Sequence, residues 1–263
     1  MTTQSDKIEL SIEGSVATIW LNRPDSANVI DLELVQALRS ACFDLEDRKD
    51  IRVVLLRGRG KQFCGGGDIG MFHANLDEMG RFIKDVIADF HEAVLSLRRL
   101  PMPVVAVVQG AVAGGGLSMA LACDFVVAAK GTKFATAYRK LGASTDGGMT
   151  HILTRLVGTR LALELLLARD VFPAEEALAL GLINRVVEPD KLDSEVDELC
   201  AVLAANAPEA TGVTKNLVYA APTASFDIQL GREMAGFAQV AYSENFKEGV
   251  RAFAERRKPD FSS

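Results

Sequence analysis

Two glycine runs and one aspartate are the residues whose types and spacing could do chemistry. Gly65-Gly66-Gly67-Asp68 follows one apolar, strand-like stretch. Gly114-Gly115-Gly116 follows another and opens a helical stretch, Leu117 to Ala122. Glycines at loop-to-helix junctions let backbone N–H groups approach a ligand closely, and a helix N-terminus favours negative charge. Two such N–H groups from separate loops could grip one oxyanion. The same glycines could equally serve tight packing, and spacing alone leaves both open. Asp146 stands before Gly147-Gly148 and an apolar helical stretch, where an aspartate ordinarily caps the helix. His91, one of three histidines, reads by itself as a solvent-facing helical residue beside Glu92.

Other glycine chemistries fit poorly. Residues 65–70 formally match G-x-G-x-x-G, but the dinucleotide fingerprint must directly follow a strand and open a helix. Here about eight residues separate it from the strand ending near Arg57, as the spacing rule judges it. A phosphate-binding P-loop fails as well, because Gln62 rather than Ser or Thr follows Gly60-Lys61.

The elements that must position these residues can be read in outline. Apolar stretches Ile8 to Ile12 and Val16 to Leu21 flank Glu13-Gly14 and read as a hairpin. Asp31 precedes Leu34, Val35, Leu38, Cys42 and Leu45 at helical spacing, so it reads as an N-cap. Arg52 to Leu56 is a short buried strand. Residues 76–99 read as a helix that must end near Pro101 and Pro103. Pro103 to Val108 and Phe125 to Ala129 are further strands, and Met149 to Val157 is an apolar helix. Strands, glycine loops and helices alternate, which predicts an α/β fold with strands buried on both faces. From about residue 191 helices dominate. The chain therefore divides into a core over 1–200 and a helical region over 201–263.

The chain has 263 residues, 49% hydrophobic and 24% charged, enough for a large core without staples. Its formal net charge of -6 argues against nucleic acid as the main partner. Cys42, Cys64, Cys123 and Cys200 form no C-x-x-C pair, so neither zinc nor any other metal is expected, and they read as reduced thiols. Residues 1–10 carry no secretory pattern and the apolar stretches are too short to span a bilayer, so a cytoplasmic protein without membrane contact is expected.

Taken together, the motifs resemble those of the crotonase, or enoyl-CoA hydratase/isomerase, family. They are F-C-G-G-G-D-I-G at 63–70, the segment P-M-P-V-V-A-V-V-Q-G-A-V-A-G-G-G-L at 101–117, L-N-R-P at 21–24 and N-V-I-D at 28–31. C-D at 123–124, A-L-A-L-G-L-I-N-R-V-V at 177–187 and E-G-V-R-A-F-A-E-R-R-K-P-D-F at 248–261 complete the set. The resemblance implies a spiral of ββα units with a C-terminal helical region that joins subunits as a homotrimer or dimer of trimers. It implies an acyl-CoA substrate, an enolate stabilised by the N–H groups of Gly67 and Gly115, and no permanently bound cofactor. It places the CoA portion against Arg23, Ser26, Ala27, Asn28 and Val29, then Gly65, Asp68 and Ile69, with Arg256 reaching the CoA phosphates. The acyl group is expected among Met71, Phe72, Phe82 and Phe90.

The sequence departs from the hydratases of that family at both catalytic acids. Hydration uses two carboxylates to place and activate one water; here Ser118 and Tyr138 occupy their positions. L-G-A-S-T-D-G-G at 141–148 instead resembles relatives that work with a lone aspartate, here Asp146. Most such relatives are isomerases, in which one carboxylate is base and then acid. A smaller group, the 4-chlorobenzoyl-CoA dehalogenases, uses the aspartate as nucleophile with a histidine at the position of His91. An isomerase is the expected activity. The alternatives are the dehalogenase-like reaction and a homologue that binds acyl-CoA without turnover.

Overall fold

The structure is a computed structural model and describes residues 5–261. The N-terminal hairpin forms as expected: β1 (Ile8–Glu13) pairs antiparallel with β2 (Val16–Leu21). Asp31 caps α1 (Leu32–Glu46), its carboxylate accepting from the Leu34 N–H at 2.9 Å. The chain then enters β3 (Val53–Gly58), which lies parallel to β2. A short α2 (Ile69–Ala74) comes next. The helix expected over 76–99 follows, a 3-10 turn at Leu76–Glu78 leading into α3 (Met79–Arg99). Asn75 closes α2 by donating its side-chain amide to the Met71 carbonyl at 2.8 Å, a local competition with the helix that only a short polar residue can mount.

Next come β4 (Val104–Val108), β5 (Ala111–Ala113), α4 (Gly115–Ala122), β6 (Phe125–Ala129) and β7 (Lys133–Ala135). Helix α5 (Met149–Leu167) runs past the expected Val157 and bends at Gly158, which adopts φ 77° and ψ 167°. After it follow β8 (Val171–Pro173), α6 (Ala174–Ala179), β9 (Arg185–Val187) and α7 (Leu192–Ala204). Three helices end the chain: α8 (Pro208–Ala220), α9 (Phe226–Val240) and α10 (Glu244–Glu255).

One sheet runs in the order β1-β2-β3-β4-β6-β9, parallel except for the first pair, and β5-β7-β8 form a second. Successive residues of a strand face opposite sides. Val54, Leu56, Ala106, Val108, Val126 and Ala128 therefore join one core with α1, α3, α4 and the second sheet. Val53, Leu55, Val105, Val107 and Val127 face the other way, onto Leu192, Val196 and Leu199 of α7. Such two-sided burial explains why β3, β4 and β6 read as unbroken apolar runs. The four cysteines are buried free thiols. Burial pushes the Cys42 and Cys64 thiols up to about 12, so they behave as small apolar residues.

Helices α8 to α10 bury little: no residue of α8, Gly236 of α9, and Asn245 and Ala252 of α10. No helix among the described residues is long and apolar enough to cross a membrane.

Candidate active site

The two glycine loops meet. Cys64 bridges Val112, with the Ala113 N–H donating to the Cys64 carbonyl at 2.9 Å, so the chain after β3 lies alongside β5. Gly66 sits at φ 99°, and a Cβ there would come within 3.0 Å of the Ala113 carbonyl oxygen. Here the backbone contact itself demands glycine. Ile30 is held between the flanking residues of the first loop: its N–H donates to the Gly66 carbonyl at 2.7 Å and its carbonyl accepts from the Asp68 N–H at 2.9 Å. In a parallel bridge that pattern turns the Gly67 N–H to the opposite side. Gly115 is the first residue of α4, where an N–H has no acceptor within the helix. Both glycines line one cavity of about 290 Å³.

The wall of that cavity is apolar. Ile83, Val86, Ile87 and Phe90 come from one face of α3, at the three- and four-residue spacing of a helix stripe, with Ile69 and Phe72 from α2. The sequence had pointed to Met71, Phe72, Phe82 and Phe90. Phe72 and Phe90 are on the wall, whereas the turn of the helices carries Met71 and Phe82 away from it. Phe72 also lies over the first loop, since a Cβ on Gly67 would strike its ring at 2.8 Å. Larger hollows of about 630 and 620 Å³ lie beside α8, but no glycine loop opens into them.

Asp146 is the one carboxylate among the described residues lining the cavity. It does not cap α5; Gly148 holds that position. Its side chain accepts instead from the Tyr138 hydroxyl, and its backbone carbonyl accepts from Ser118 Oγ at 2.9 Å. Ser118 is fully buried. Burial first, and the neighbouring Asp146 charge next, push the Tyr138 phenol above its ordinary value, so Tyr138 stays the donor of that bond. The two positions that lack hydratase acids thus converge on a single aspartate. From the sequence Ser118 and Tyr138 read only as missing acids, and what they hold is visible only in the fold. Their shared departure from the hydratase pattern was the available signal. Lys140, which also lines the cavity and pairs with Asp170 at 3.4 Å, gave no signal at all.

The remaining sequence-predicted residues fall into three places. Gly65 and Ile69 line the cavity with Gly67, Gly115 and Asp146. Arg23, Ser26, Ala27, Val29 and Asp68 form the adjoining ledge. Arg23 donates to the Val29 carbonyl at 2.7 Å and to Asp68 at 3.3 Å, which ties the segment after β2 to the first glycine loop. Asn28 is fully buried. Its amide donates to the carbonyls of Arg59, Gln62 and Phe63, so this side chain builds the ledge and has no surface to offer a ligand. His91 is exposed on α3 and does not line the cavity; it reaches the Asp146 loop from behind. Arg256 ends α10 in a left-handed conformation, φ 56°, away from the cavity wall. Among the described residues no three His, Cys, Asp or Glu side chains cluster as a metal site requires.

Fold and site together place two loop glycines, Gly67 and Gly115, and one carboxylate on the wall of an apolar cavity. Residues 11–263 match the model of the enoyl-CoA hydratase/isomerase family. The chain is 30% identical over 260 residues to trans-2-decenoyl-[acyl-carrier-protein] isomerase of Streptococcus mutans, covering 97% of this chain and 98% of that one. It is 34% identical over 254 residues to 1,2-epoxyphenylacetyl-CoA isomerase of Escherichia coli, covering 95% and 96%. A crystal structure of an enoyl-CoA hydratase from Polaromonas sp. JS666 superposes with a TM-score of 0.92 at 35% identity, covering 96% of this chain and 98% of that one. The chain belongs to the enoyl-CoA hydratase/isomerase family.

Proposed function

We propose that this enzyme moves a double bond in an acyl-CoA, using Asp146 as its single acid and base. The carrying observation is that Asp146 is the sole carboxylate on the described cavity wall, while Ser118 and Tyr138 at the hydratase acid positions both bond to it. In the reaction, Asp146 takes a proton from the carbon next to the thioester of a 3-enoyl chain. The electron pair delocalises to the thioester oxygen, which the Gly67 and Gly115 N–H groups stabilise. The same carboxyl returns the proton two carbons away, giving the 2-enoyl isomer with no net gain or loss of atoms. No redox or metal group is required, and the CoA thioester enters as substrate rather than as a resident cofactor.

The apolar wall from α2 and α3 supports an apolar acyl group. The nucleophilic alternative needs a histidine that activates water beside an aryl ester. His91 Nε2 is already engaged as an acceptor and does not face the cavity, which supports acid–base over nucleophilic use of Asp146. The apolar side chains exposed on α9 and α10, among them Phe226 and Phe253, support association of copies of this chain. In that assembly Arg256 of one copy reaches the CoA phosphates bound by another. A monomeric mass by sedimentation at micromolar concentration would refute the assembly.

The test of the reaction is a panel of 3-enoyl-CoA and aryl-CoA thioesters in deuterated water. Isomerisation of the enoyl members with deuterium incorporation at the α and γ carbons is expected. Tight binding with no exchange across the panel would leave only the reading without turnover.

A further inference from the structure

His91 stands behind the Asp146 loop, yet its Nε2 accepts the Gly147 N–H at 3.1 Å. The same peptide unit is held at its other end, where the Asp146 carbonyl accepts from Ser118 Oγ at 2.9 Å. The peptide joining residues 146 and 147 is thus pinned from two helices, α3 and α4, while Tyr138 holds the carboxylate that the residue carries. One further bond holds it, the Met149 N–H donating to the Asp146 carbonyl at 3.2 Å. Leu141 to Ser144 are exposed, and Gly142, Gly147 and Gly148 all have positive φ. Rotation of a peptide plane beside two consecutive glycines is the least costly motion open to such a loop. Bulk cannot replace the bonds: a Cβ on Gly147 would meet Phe90 Cε1 and Ser118 Cβ, both at 2.7 Å.

We infer that His91 is a positioning residue, whose Nε2 fixes the Asp146–Gly147 peptide and thereby aims the Asp146 carboxylate into the cavity. This rests on the assignment of Asp146 as acid and base. A nitrogen that accepts the Gly147 N–H has no lone pair left for water, so the role differs from that of a general base. Displacing a reacting group by about 1 Å can cost about a hundredfold in rate while leaving remote binding intact. The role is therefore visible in kcat rather than in KM.

The test compares wild type, His91→Ala and His91→Gln with 3-hexenoyl-CoA and 3-decenoyl-CoA, alongside amide exchange at Gly147 in the isotope-labelled proteins. In His91→Ala, kcat should fall about ten- to a hundredfold with KM within about twofold. The Gly147 amide should also lose protection. The Gln side chain places an acceptor oxygen near the position of Nε2 and should restore both readings. An unchanged kcat and Gly147 amide in His91→Ala would overturn the inference. So would a His91→Gln enzyme that accumulates a covalent adduct on Asp146, the mark of a lost base. If wild type turns over neither thioester, the assignment of Asp146 falls. Gly147 protection and the Asp146 carboxyl 13C shift across the three proteins then still decide whether His91 fixes this peptide.

Discussion

The site has two halves built in different ways. The half around Gly67 and Gly115 is backbone: two loops zipped together by the Cys64–Val112 bridge, with Ile30 turning one N–H outward. The half around Asp146 is side chain: Tyr138, Ser118 and His91, from three separate elements, each hold a different atom of half-buried Asp146 or buried Gly147. Backbone placement tolerates no atom in the way, so it is rigid and leaves glycines at fixed positions. Side-chain placement can be rewired by single substitutions. The first half is therefore fixed by sterics, while the second is open to change at single residues.

The largest effect should come from removing the acid itself. Asp146→Asn keeps the shape of the side chain but cannot accept a proton, and a positioned acid–base group contributes about a hundred- to ten-thousandfold. Isomerisation should fall about a thousandfold, while acyl-CoA affinity measured by calorimetry stays within about twofold. A parallel loss of affinity would mean that the two halves are not separable.

Tyr138→Phe removes the bond to the carboxylate without opening a large space. A hydrogen bond to a charged group contributes about 1.5–3 kcal/mol, so kcat should drop by roughly ten- to a hundredfold with KM little changed. A variant as active as wild type would show that Tyr138 merely fills the position.

The backbone half should answer in stability. A Cβ on Gly116 would sit 2.6 Å from Cys64 Cβ and 2.8 Å from its carbonyl oxygen, where neither can give way cheaply. Gly116→Ala should cost about 1–3 kcal/mol, read as a lowered denaturant midpoint. An unshifted midpoint would show that the loops can separate without penalty.

The smallest effect sharpens the comparison by its absence. Ser118→Glu restores one hydratase acid but not the second. It also forces a charged side chain into a fully buried site against Gly147. Water addition to crotonyl-CoA should stay at the level of the wild type. Rapid loss of the enoyl absorbance would break the distinction between the two halves.

The sequence alone determined what depends on local chemistry and on backbone sterics. The hairpin, the Asp31 cap, the buried strands and the glycine runs were legible because each leaves a mark within a few residues. Asp146 was legible as a candidate acid only through the resemblance of 141–148 to lone-aspartate relatives. Three things were decided only by the tertiary structure. The turn of α3 selects Ile83 and Val86 in place of Phe82. Asn28 spends its amide on three carbonyls inside the ledge. Ser118, Tyr138 and His91, separated by up to tens of residues, meet on the peptide that carries Asp146. Each depends on which elements pack against one another, and spacing along a chain does not encode which distant elements meet.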